Sequence, residues 1–152
     1  MQSVREICPF ILEYSNVISD GECDELFSIV SNSSSHESGI VATSKGLDIN
    51  DNVKKCIDIP GNEIDSEIVK SLVCSIESAA KNYTSKYPVP CEHNIKMEIT
   101  GPLFQLYNVG DYFKWHVDNS LITMNRNRFL AIVMYLNDDF TGGETQFLYQ
   151  KF

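Results

Sequence analysis

The stretch RFLAIVMYLN, residues 128–137, constrains the possible folds more than any other part of the chain. Residues 129–136 are apolar without alternation. A strand with one wet face alternates every second residue, so an unbroken run reads as a strand buried on both faces. Such a strand needs a neighbour to hydrogen-bond and a layer over each face. That demands a β-rich core. Further strands read at KMEIT (96–100), LFQLYNV (103–109) and ETQFLY (144–149), with turn chemistry at Asn137-Asp138-Asp139 and Thr141-Gly142-Gly143.

Upstream, the pattern changes to helices. FILEYSNVIS (10–19) reads as a strand and turn. Ser19 and Glu22 then form a capping box ahead of Leu26, Ile29 and Val30, which share a helical stripe widened by Phe27. SNSSSHESG (31–39) closes that helix as a loop. Residues 40–63 hold short apolar clusters broken by Gly, Asn and Asp, and read as irregular with a brief strand. Residues 64–83 are a clearer helix, with Ile64, Ile68, Leu72, Ile76 and Ala79 or Ala80 on one face, ended by KYPVPCEHN at 86–94. No internal repeat is evident.

At 152 residues the chain reads as one domain, with a supporting region at 1–95 and a β core at 96–152. Its net charge of -9 argues against nucleic acid, whose phosphates call for a basic face. No segment approaches the roughly eighteen apolar residues of a membrane helix, and MQSVREICPF lacks a signal-peptide core. These features place the chain in the cytoplasm, off the membrane. Cys8, Cys23, Cys56, Cys74 and Cys91 are widely spaced, contain no CxxC pair and read as free thiols. The Asn-x-Ser/Thr sites at Asn32 and Asn82 carry no weight without secretion.

The chemistry-bearing segment is LYNVGDYFKWHVDNS, residues 106–120. On an extended backbone, His116 and Asp118 point to the same side, because strand side chains repeat every two residues. One imidazole and one carboxylate so placed suit Fe(II) in a 2-His-1-carboxylate site, or zinc on ligand type alone. Phe113 and Trp115 read as core aromatics beside them. His36, in a Ser-rich loop, and His93, beside a turn, are not expected to be ligands.

The flanks add a resemblance. Tyr107, Gly110, Phe113, His116 and Asp118, then Arg128, Tyr135-Leu136-Asn137 and Gly142-Gly143-Glu144-Thr145-Gln146-Phe147, resemble in order and spacing the 2-oxoglutarate and Fe(II)-dependent dioxygenases. The prolyl 4-hydroxylase branch is the nearest in pattern. The resemblance implies an α+β fold with a double-stranded β-helix core of jelly-roll or cupin type and N-terminal helices packed on its sheet. It implies that His116 and Asp118 are catalytic iron ligands, and that Tyr135 and Tyr107 bind the 2-oxoglutarate cofactor. Arg128 would be structural or substrate-facing, and Gly142 and Gly143 would shape a turn across the site. Ala131 departs from a Thr frequent in the family. The activity implied is hydroxylation of a C–H bond, with a peptidyl proline in a protein or peptide as the first substrate guess. Succinate and CO2 would be co-products, with ascorbate as an accessory.

The family also carries a distal His and, beyond it, a basic residue that pairs with 2-oxoglutarate. After Asp118 this sequence has no His, and its basic residues are Arg126, Arg128 and Lys151. The β-helix is therefore expected to be incomplete at its C-terminal end. A fragment of a larger enzyme, a non-catalytic binding or scaffold protein, and a site completed by another chain are the three readings of that gap. Oligomeric state stays open.

Overall fold

The computed structural model describes residues 3–43, 45–64, 66–88, 98–119 and 128–150. It divides into two compact units. One comprises Met1–Leu26, Asp65–Gly101 and Leu136–Phe152, the other Phe27–Ile64 and Pro102–Tyr135.

The first unit is built from a hairpin and a long helix. Strands β1 (Ser3–Cys8) and β2 (Ile11–Ser15) pair antiparallel through the two-residue turn Pro9-Phe10. Phe10 adopts a φ of 70°, a left-handed conformation costly for an aromatic residue. Local contacts hold it there. The Tyr83 hydroxyl donates to the Phe10 carbonyl at 2.9 Å, and the Phe10 ring lies 4.9 Å from that of Tyr87. Helix α2 (Glu67–Lys86) starts where the Ser66 hydroxyl accepts from the Ile68 amide, and it buries Val69, Leu72, Ala79 and Ala80. The helix expected at 64–83 is thus shifted by three residues at each end, and Val69 joins the buried face. Tyr14 donates to the Asn82 side chain at 2.8 Å, and Lys86 pairs with Glu6, tying the hairpin to the helix.

Helix α1 (Asp20–Ser31) begins at the expected capping box. The Glu22 carboxylate accepts from the Ser19 amide at 2.7 Å, and the Ser19 hydroxyl accepts from the Glu22 amide at 3.3 Å. Leu26 and Val30, one helical turn apart, are almost fully buried.

In the second unit, residues 40–63 are more ordered than their composition suggests. They contain β4 (Ile40–Thr43), β5 (Gly46–Ile49), β6 (Lys54–Lys55), β7 (Ile57–Pro60) and a 3-10 turn at Gly61–Glu63, after a short β3 (Glu37–Ser38). Asn50, Asp51 and Asn52 fall between β5 and β6, and Gly61 and Asn62 in the 3-10 turn, whereas Gly46, Asp48 and Asp58 lie within strands. Strand β8 (Leu103–Leu106) joins β7, giving the sheet order β3-β7-β8. Strand β9 (Tyr112–Phe113) pairs with β6, and β4 pairs with β5. At Gly61 the amide donates to the Pro102 carbonyl, and a Cβ there would sit 2.6 Å from that oxygen. Only glycine allows that approach.

Among the described residues the expected double-stranded β-helix is not formed. The sheets are small, antiparallel and open, with two or three strands each. The described residues of 128–150 contain no strand, and Phe129, Ile132, Val133 and Tyr135 are exposed rather than buried. Apolarity supplies a drive to burial but not a hydrogen-bonding ladder, and no strand lies alongside this segment among the described residues. The strands read at 98–100 and 144–149 are likewise absent, and residues 96 and 97 lie outside the described set.

Candidate functional site

His116 and Asp118 follow β9 on irregular backbone, so the strand geometry that placed them on one side does not apply. Loop contacts bring them together instead. His116 Nδ1 lies 2.7 Å from the Lys114 carbonyl, which fixes the proton on Nδ1 when the ring is neutral and turns Nε2 outward. That nitrogen is 3.4 Å from Asp118 Oδ1. The same oxygen is 3.6 Å from Arg128 Nη1, and Asn119 donates to the Arg128 carbonyl at 2.8 Å. Arg128 is thus a charge partner of Asp118. The Phe113 ring stacks on the imidazole with centroids 3.6 Å apart. Trp115 is 59% exposed, not a core residue.

Iron needs a third strong donor, yet the described residues contain no group of three His, Cys, Asp or Glu that could hold a metal ion. The Asp118 carboxylate is engaged by Arg128, and both candidate ligands are more than a third exposed. Tyr135 is 53% exposed. Tyr107 donates to Gln105 Oε1 at 3.3 Å, and Tyr135 lies close enough to add to the upward shift of the Tyr107 phenol. His36 Nε2 lies 3.2 Å from the Val30 carbonyl, and His93 lies outside the described residues.

The most organised chemistry in this unit lies elsewhere. Lys54 and Asp58 are buried and paired, with Nζ 2.7 Å and 2.9 Å from the two carboxylate oxygens. Asp58 also accepts from the Ile40 amide at 3.0 Å, from the Gln105 side chain at 3.1 Å and from the Cys56 thiol at 3.3 Å. The Lys54 ammonium stands 5.3 Å from the centroid of the Phe113 ring. Burial alone would raise the Asp58 carboxyl, but the hydrogen bonds from Lys54 and the Ile40 amide outweigh it and hold it below the usual carboxylate range. Burial and the neighbouring carboxylate push the Cys56 thiol up to about 11, which keeps it protonated and unreactive. Burial likewise raises Tyr107, with Cys56 and Asp58 adding to it. Every fully buried side-chain nitrogen or oxygen among the described residues has a partner.

This network was missed in the sequence, although a signal was present. Lys54, Cys56 and Asp58 recur every second residue in KKCIDIP, the spacing of one strand face. A shallow, open cavity of ≈ 330 Å³ lies beside it, lined by Asp51, Lys55, Cys56, Asn108 and Asp111 among others. Lys55 and Asp111 pair across it at 3.2 Å. None of His116, Asp118, Tyr107 and Tyr135 lines that cavity.

Comparison with protein-family models, with curated proteins and with solved structures finds no match. The dioxygenase assignment is therefore corrected on two grounds. The sheets do not close, and the donor set fits neither Fe(II) nor, through it, 2-oxoglutarate and ascorbate. The prolyl hydroxylation carried over with that family falls with it. Among the described residues no helix is long and apolar enough to cross a membrane.

Proposed function

We propose that this chain is a non-catalytic binding module acting on a protein or peptide partner. The observation that carries the reading is the exposure of large apolar side chains in the second unit. Phe129, Ile132 and Val133, all in one segment of that unit, are between 43% and 67% accessible. A soluble domain covers such residues or uses them, and concentrated apolar surface marks sites of association. His116, Asp118 and Arg128 supply polar, charged contacts close to the start of this segment, and Tyr107 and Tyr135 supply phenolic ones. In this reading those residues recognise a partner and do not hold a metal.

Anaerobic titration of the full chain with Fe(II) and 2-oxoglutarate tests the reading. The expected result is no visible charge-transfer band that depends on His116. A stoichiometric band abolished by His116→Ala overturns it.

A further inference from the structure

We infer that two copies of this chain associate by reciprocal strand addition, residues 129–134 of one copy pairing along the free edge of β8 in the other. The inference rests on the binding-module reading and names its partner. Strand β8 is the last strand of the order β3-β7-β8, so its outer edge meets no strand among the described residues. Phe104 on β8 is buried, whereas Leu103 on the opposite face is 51% exposed. An edge of this kind offers unpaired amides and carbonyls to any extended segment that can reach them.

The same chain carries a segment of matching chemistry. Residues 129–134, FLAIVM, belong to no strand, and Phe129, Ile132 and Val133 are 49%, 43% and 67% exposed. Their composition favours a strand, and both alternating sets are apolar, so either register extends the Phe104 face and covers Leu103. The segment starts from a fixed point, because Asn119 holds the Arg128 carbonyl and Asp118 meets the Arg128 guanidinium.

A second copy fits better than an unrelated partner because it satisfies two edges and two segments at once. The pairing is isologous, so one contact is made twice. Two such pairings remove on the order of 1,000 Å² from water, the lower bound for a specific interface. A weak dimer follows, micromolar rather than nanomolar. Neither 129–134 nor Leu103–Leu106 contains a charged residue, while each copy carries a net charge of -9. Added salt therefore screens the repulsion between copies without weakening the contact, and dimerisation strengthens as salt rises.

Sedimentation equilibrium of the full chain up to about 200 µM tests this. The expected result is a monomer–dimer equilibrium that tightens with salt and weakens by at least about tenfold in Ile132→Pro with Val133→Pro, which removes two strand donors from a segment that has no ladder in the monomer. A second measurement avoids dependence on that variant's folding. Mixing a Leu103→Cys copy with a Val133→Cys or an Ile132→Cys copy, one for each register, under mild oxidation should give a cross-link that peptide mapping places between the two introduced thiols. A wild-type monomer throughout the range, a dimer that loosens with salt, polydisperse aggregate without a discrete dimer, or absence of that cross-link in a dimeric sample each overturns the proposal. Those outcomes leave the non-catalytic reading to the iron titration, which decides it separately.

Discussion

Lys54 shows how one residue can organise a unit. Its side chain is 2% exposed and its ammonium bonds both Asp58 oxygens and the Ile40 carbonyl, so removing it leaves a buried carboxylate without its cation. Breaking one side of a buried pair typically costs about 3–5 kcal/mol. Lys54→Met should lower the unfolding free energy by about that much, read from urea melts. Adding Asp58→Asn should restore part of it, since no unpaired charge then remains. The same pair sets the acid limit. The Asp58 carboxyl is held below its ordinary value in the folded state, so its stabilisation is complete above the unfolded pKa, about 3.9, and is lost as pH falls through the folded one. As pH falls below about 4 the melts of wild type and Asp58→Asn should begin to converge. At this scale the sequence was only partly legible. Lys54, Cys56 and Asp58 stand every second residue, but nothing in that spacing says that the face they share is dry.

At the scale of elements, local signals read well where the cause was local. The Ser19–Glu22 capping box needs only four residues, and both its hydrogen bonds are present. Ser19→Ala should cost about 1 kcal/mol in the same melts, with the far-UV helical signal otherwise retained. The amphipathic stripe of α2 was legible for a similar reason. Strand assignment failed in both directions. Residues 40–63 formed four strands from unpromising composition, because β4 and β5 pair with each other while β6 and β7 find partners distant in sequence, β9 and β8. Residues 129–136, the most strand-like in composition, formed none, since strand formation depends on a partner that the segment itself does not encode. His116 and Asp118 were correctly seen as neighbours, but loop hydrogen bonds place them rather than strand alternation, and Arg128 shares the carboxylate.

For the whole molecule, the contrast between a satisfied interior and an apolar exterior carries the functional reading. The buried polar groups are partnered, while the described residues of 128–150 leave large side chains in water. Two of the thiols record the same contrast in kinetic form. Cys74 is exposed on α2, whereas Cys56 is buried, bonded to Asp58 and held protonated by a pKa of about 11. An alkylating reagent at neutral pH therefore meets two clocks in one chain. Cys74 is tagged at the chemical rate, and Cys56 only as often as the second unit opens. The ratio of the two masses over time measures how frequently that interior breathes, without denaturant, dye or mutation.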